Sequence, residues 1–202
     1  MKYEIKRLSD LKNYNKDELT KLYVESFKNK MGAVSKDSNI LEKIFINSFN
    51  PKYYYVCLDG EKIVGIAACS THLERANSFT KKELIDLLGV IKGNLALFLI
   101  NAMLAKPSAK SETEGYIESV ATHKDYRGQG IATALFKHIH ENTSYNRYIL
   151  DVIHGNDNAK HLYEELGYEV YKVETGIAYK IMKIKALYFM EYFKGSTNQK
   201  VS

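Results

Sequence analysis

Tryptophan is missing from this sequence, proline occurs only at Pro51 and Pro107, and no segment is dominated by one or two residue types. Those gaps exclude proline-rich linkers and collagen-like repeats, and a 45% hydrophobic content is too high for a disordered chain. Cysteine is scarce as well. Cys57 and Cys69 both fall in apolar runs, the setting of reduced, buried thiols rather than of a disulfide framework, and the expected compartment is the cytoplasm. The longest apolar stretch, Leu95 to Ala105, is interrupted by Asn101 and falls short of the ~20 residues that span a bilayer. Met1 to Leu8 alternates charged and apolar residues and lacks the apolar centre of a secretory signal, so neither export nor a membrane partner is expected. A large charge excess is also missing: the net charge of +5 comes from lysines spread along the chain, which calls for no nucleic-acid groove and suffices for a small anionic ligand.

What is present fits one domain of 202 residues. Tyr3 and Ile5 alternate with polar neighbours in a short strand, and Leu19, Leu22, Tyr23 and Phe27 recur at helical spacing. Asn39 is placed to cap a second helix carrying Ile40, Leu41, Ile44, Phe45 and Phe49, which Asn50-Pro51 would stop. Tyr53 to Leu58 and Lys62 to Ser70 read as strands of a hairpin joined through Asp59-Gly60-Glu61. Thr80 to Ala105 predicts a helical insert of one or two helices, interrupted near Gly89 and Gly93, followed by a polar loop from Lys106 to Glu114. Further on come a strand at Tyr116 to Thr122, a helix from Gly130, a strand at Tyr148 to Ile153, a helix at Asp157 to Leu166, and strands at Tyr168 to Val173 and Thr175 to Lys183. The tail from residue 195 is expected to fray. No internal repeat is visible, and this order implies a mixed α/β (α+β) fold with helices on both faces of a sheet of about seven strands.

The chemistry concentrates in Val120-Ala121-Thr122-His123-Lys124-Asp125-Tyr126-Arg127-Gly128-Gln129-Gly130-Ile131-Ala132, which joins a strand to a helix through closely spaced glycines. Glycine lets successive backbone N–H groups approach a ligand unobstructed, and a helix N-terminus adds unpaired donors and about half a positive charge, an arrangement suited to a pyrophosphate. A dinucleotide fold is the rival reading, because Gly128 and Gly130 with Asp151 about twenty residues later imitate its fingerprint. The rival fails because Thr133 stands where the third glycine belongs and more than half the chain precedes the motif. The histidines at 123, 138, 140, 154 and 161 make no complete ligand set with one another or with the cysteines, so no metal is expected.

Arg127-x-x-Gly130-x-Ala132 resembles the acetyl-CoA signature of the GNAT superfamily of N-acetyltransferases. Asn156-x-x-Ala159-x-x-Leu162-Tyr163-Glu164-x-x-Gly167-Tyr168 is similar to its second signature. The likeness is motif-specific from Ile117 to Tyr168, while Thr80 to Glu114 departs from the minimal family core. It implies a mostly antiparallel, twisted sheet with the helical insert between the third and fourth strands, and transfer of an acetyl group from acetyl-CoA to a primary amine of a small molecule or peptide. By the same resemblance, the strand before the turn splays from its neighbour and the pantetheine arm lies in the gap against Val120, Ala121 and Thr122. The pyrophosphate would then lie on the amides of Gly128, Gln129, Gly130, Ile131, Ala132 and Thr133, with Arg127 and Gln129 at the rim. Asn156 would cap the following helix or bond the pantetheine arm.

A lysine-like amine is neutral only to the order of one part in a thousand at pH 7, so a proton acceptor is useful. The resemblance implies Glu118 as that base, with Glu114 and Asp151 as alternatives, and Tyr163, which matches the family's tyrosine, as the acid for the departing thiolate. Other readings stay open: a non-catalytic CoA-binding module, an enzyme acting on protein N-termini or lysines, and an insert that either walls the acceptor pocket or forms a homodimer interface.

Overall fold

The computed structural model describes residues 3–32, 34–104, 109–176 and 184–195, with the backbone alone for 102–104. In chain order the elements are β1 (Glu4–Arg7), α1 (Lys16–Phe27), α2 (Ser38–Phe45), β2 (Tyr54–Asp59), β3 (Lys62–Ser70), α3 (Lys81–Leu88), α4 (Val90–Leu104), β4 (Glu114–Thr122), α5 (Ile131–Asn142), β5 (Arg147–Ile153), α6 (Asp157–Glu165), β6 (Glu169–Glu174) and β7 (Leu187–Phe193). The strands form one sheet in the order β1-β2-β3-β4-β5-β7-β6. Every neighbouring pair is antiparallel except β4 with β5. No described helix is long and apolar enough to cross a membrane.

Alternation along the central strands divides the core. Tyr54, Val56, Ile66 and Ala68 face one side, where they meet Leu19, Leu22, Val24, Leu41 and Phe45 of α1 and α2 together with Leu84 and Ile100 of the insert. Tyr55, Cys57, Cys69 and Ile117 face the other, against Ile131, Leu135, Phe136 and Ile139 of α5. Gly65 permits the second packing, because a Cβ there would stand 2.4 Å from Ile131 Cγ2. Both cysteines are free, and burial pushes their thiols up to about 11 and about 12.

Local chemistry explains most boundaries. Asn15 caps α1 by accepting from the Glu18 amide, and Thr80 with Glu83 forms a capping box at α3. Gly60 closes the β2–β3 hairpin at φ 63°, and Gly89 separates α3 from α4 at φ 78°. Gly93 continues α4 and brings it onto α3: a Cβ there would meet Leu84 O at 2.7 Å.

Three expectations change. The cap of α2 is Asp37, whose carboxylate accepts from the Asn39 amide at 2.9 Å, so Asn39 lies inside the helix. That helix ends at Phe45, well before Pro51, because the Ser48 hydroxyl and amide both take the Phe45 carbonyl at 2.8 Å. The last strand is Leu187–Phe193; Thr175 and Gly176 are not in a strand, and 177–183, like the tail from 196, lies outside the described residues. β7 inserts between β5 and β6, pairing Arg147 with Phe193 at one end and Ile153 with Leu187 at the other.

Candidate active site

The one parallel pair among the described strands is also incompletely zipped. β4 and β5 are in register only from Glu114↔Arg147 to Tyr116↔Ile149. Beyond that, β4 stays bonded to β3, and β5 to β7 along its whole length. The inner edges of Ile117–Thr122 and Leu150–Ile153 therefore diverge, and every other amide and carbonyl on them faces a gap. An ion pair closes the zipped end: Arg147 lies 2.5 Å from both Glu114 and Glu191, and Glu114 also accepts from the Lys110 amide at 2.6 Å. Burial would raise the Glu114 pKa, but the Lys110 amide and Arg147 hold it below its ordinary value. Glu114 is thus a brace at the far end of the gap.

A bulge distorts the open part of β4. Ala68 pairs with Glu118 and Ile66 with Ala121, leaving two residues opposite Ala67, and Ser119 takes φ 58°, the one positive φ outside glycine among the described residues. Such a conformation is held only by surroundings that over-determine it. Val120, Ala121 and Thr122 follow directly, along the gap. At their end the His123 amide donates to Val64 O, and a single 3₁₀ turn leads into the glycines.

Gly128 and Gly130 adopt φ 72° and 75°, and a Cβ on either would meet nothing within 4 Å, so open space lies in front of both. The first turn-closing bond of α5 is Ala134 N to Gly130 O. Among the described residues, the amides of Gly128, Gln129, Gly130, Ile131, Ala132 and Thr133 donate to no protein acceptor. This is a row of unused donors at a helix N-terminus. The Ile131 side chain is buried beneath the helix, so only its amide faces outward. Arg127 and Gln129 are exposed at the rim; the Gln129 carbonyl accepts from the Tyr3 hydroxyl and its amide donates to Asp125 O at 3.3 Å.

Tyr163 reaches the region from α6. Its ring is buried against Phe136 and Tyr168, and burial, aided by the Asp151 charge, pushes its pKa up. The phenol bonds to no described residue, and no fully buried side-chain oxygen among them lacks a partner, so the hydroxyl reaches open space. Asn156 occupies the N-cap position of α6 without a capping side-chain bond, which overturns its capping role and leaves its exposed amide free.

The remaining carboxylates differ sharply in setting. Glu118 accepts from Arg75 Nη2 at 2.7 Å, from Arg75 Nε at 3.1 and 3.2 Å, from Ser70 Oγ at 2.5 Å and from the Ala76 amide at 3.2 Å. Arg75 also lies over the Tyr116 ring, 4.7 Å from its centroid. Sequence reasoning missed Arg75. The available signal was a glutamate in an otherwise apolar strand, which demands a buried counter-charge from somewhere in the chain.

Asp151, on the open part of β5, accepts a hydrogen bond from Tyr116, and burial raises its pKa despite that bond and the charges of Lys30 and Arg75. Lys30, just beyond α1, lies over the Phe27 ring. One end of the gap thus offers amides to an anion. Its open stretch offers the Asp151 carboxylate and the Tyr163 phenol. No group of three or more His, Cys, Asp or Glu side chains converges among the described residues.

Comparison with known proteins agrees with this architecture. A crystal structure of an N-acetyltransferase from Staphylococcus aureus Mu50 superposes with TM-score 0.58 at 17% identity, covering 94% of this chain and 100% of that one. A GNAT family acetyltransferase from Elizabethkingia anophelis, solved with acetyl-CoA bound, gives 0.55 at 10% identity over 96% and 99%. In sequence, the N-alpha-acetyltransferase 30 of Schizosaccharomyces pombe is 24% identical over 138 residues, 67% of this chain and 69% of that protein. The model of the Acetyltransferase (GNAT) family matches residues 16–168, a span that contains the splayed strands, the glycine turn and Tyr163, and the chain therefore belongs to that family.

Proposed function

We propose that this protein is an acyl-CoA-dependent N-acetyltransferase that moves an acetyl group from acetyl-CoA to a primary amine of a small molecule or peptide. The observation that carries this reading is the row of unbonded amides from Gly128 to Thr133 at the mouth of the gap. Six convergent donors at a helix N-terminus suit a diphosphate, with Arg127 and Gln129 at the rim. The open edge of Val120–Thr122 suits the amide-bearing pantetheine arm, and the free Asn156 side chain lies within the same set of elements. The acetyl-CoA held by the Elizabethkingia neighbour supports the same donor.

In the transfer, the acceptor nitrogen bonds to the thioester carbon, the C–S bond breaks, one amine proton leaves and the thiolate takes one up. We assign the amine proton to Asp151 rather than to Glu118 or Glu114, because each glutamate is already paired with an arginine, whereas Asp151 has a single hydrogen bond. Glu118 then fixes Arg75 and, through the bulge, the path of β4. Tyr163, with its hydroxyl free, is assigned the proton delivered to the departing thiolate.

Isothermal titration with CoA tests the cradle. Gly130→Glu puts a strained residue and a like charge where the pyrophosphate lies, and affinity is expected to fall at least about a hundredfold, or ~2.7 kcal/mol. Unchanged affinity would remove the reading. A screen of amines and amino-terminal peptides, followed by thiol release, tests turnover; CoA binding without release on any acceptor would make the protein a non-catalytic module. Peptide amino termini merit inclusion because of the Schizosaccharomyces pombe relative's name.

A further inference from the structure

The insert carries a surface that the acetyl-transfer reading does not use. α4 buries Gly93, Ala96 and Ile100 on its inner face, and on the opposite side Ile91, Leu95 and Phe98 recur at steps of four and three residues. These three are 86%, 55% and 69% exposed; Val90 is 65% exposed, and Leu87 at the end of α3 is also open. A large apolar side chain presents on the order of 150–200 Å² to water, so together they offer on the order of 500 Å² of apolar surface, which monomeric proteins rarely leave bare without a use. α4 is seated closely on α3, where a Cβ at Gly93 would meet Leu84 O at 2.7 Å.

We propose that this face is the contact between two copies of the chain, packed about a two-fold axis with α4 against α4. Size favours this occupant: two such faces would bury about 1,000 Å², where specific interfaces begin, and the polar rim would add to it. Charge favours it too. Each copy carries a net +5, yet α4 has one charged residue in its 15, Lys92, so copies meeting here bring few like charges together. The exposed charges of α3, Lys81, Lys82, Glu83 and Asp86, sum to zero, with the two lysines ahead of the two acids along the helix, so helices running antiparallel across a two-fold axis bring lysines of one copy towards acids of the other. Exposed Asn101 and Asn94, the latter already donating to Val90 O, flank the stripe with amide oxygens that can accept. A membrane surface fits less well, since helices that lie in the lipid interface carry many lysines and arginines beside the apolar stripe.

Sedimentation equilibrium tests the proposal independently of catalysis. The wild-type chain should be a dimer at low micromolar concentration, roughly the range such an interface supports. An Ile91→Glu/Phe98→Glu double variant should weaken association at least about a hundredfold, with circular dichroism and melting temperature showing an intact fold. Mild oxidation of Leu95→Cys should trap a disulfide-linked dimer across the axis. A wild-type monomer at ~100 μM, a double variant that still dimerises, or failure of Leu95→Cys to cross-link a protein that dimerises would each overturn it. So would a monomer that co-sediments with phosphatidylserine vesicles, which would give the face to lipid.

Discussion

The flank and the mouth of the β4–β5 gap treat their polar groups in opposite ways. On the flank, Glu118 spends both carboxylate oxygens on Arg75, Ser70 and the Ala76 amide, and Glu114 does the same with Arg147 and the Lys110 amide. At the mouth, the amides from Gly128 to Thr133 bond to nothing in the described protein. A buried group left unsatisfied costs about 1–3 kcal/mol, more if charged, so saturation marks where stability resides, whereas unsatisfied donors are tolerable only where water or a ligand reaches them. Substitutions on the flank should therefore damage the fold, and substitutions in the gap should damage the chemistry.

The widest separation is expected at the two carboxylates facing the α1 side of the sheet. Asp151→Asn should lower kcat by about 10²- to 10⁴-fold with little change in melting temperature, and should abolish the acid limb of the pH–rate profile. Because burial raises the Asp151 pKa, that limb should lie above the range of an ordinary aspartate, activity falling as pH drops through it. Glu118→Gln should do the converse, leaving the Arg75 guanidinium buried without its counter-charge at a cost of about 3–5 kcal/mol in urea denaturation. Turnover per folded molecule should stay within a few-fold. A much larger fall would return proton acceptance to Glu118 and dissolve the contrast.

A smaller effect tests saturation in the second core. His140 stacks on Tyr192, bonds to the Tyr168 hydroxyl at 2.8 Å, and is pushed down to about 4 by burial, with Lys194 adding to the shift. Its folded pKa lies below the 6.5 of the free side chain, so the stability of the neutral ring is complete above pH 6.5 and lost as pH falls toward 4, by up to about 3 kcal/mol. Denaturation at pH 7 and pH 4.5 should show that slope, and His140→Phe should flatten it. The smallest change belongs to Tyr163→Phe. A thiolate leaves readily without full protonation, so kcat should fall only about tenfold, below the usual range for a general acid. Full activity would make this tyrosine a packing residue.

Elements specified by neighbouring residues were legible in the sequence, and those specified by distant ones were not. Asp59-Gly60-Glu61 announced a hairpin because a tight turn needs a residue tolerant of positive φ, and Gly60 has φ 63°. Gly128 and Gly130 announced a tight strand-to-helix turn for the same local reason, and they have φ 72° and 75°. Arg75 could not be read, because its role depends on Glu118 more than 40 residues away in the chain, which only strand pairing brings near. Leu187–Phe193 was passed over because its seven residues vary little in polarity, and its place between β5 and β6 is a tertiary choice. Asn39 lost the cap of α2 to Asp37 because both are good caps, and spacing alone does not rank them.

The late arrival of β7 has a consequence for synthesis. As the chain leaves the ribosome, β1 to β4 can pair in the order they appear, since each finds its partner in the strand just made. β5 emerges next, held to β4 only over Arg147–Ile149, and its outer edge stays open until Leu187–Phe193 pairs with it. An edge left open while the chain is unfinished is a site for wrong pairing, so a ribosome stalled between the two strands would release a half-built wall rather than a weakened enzyme.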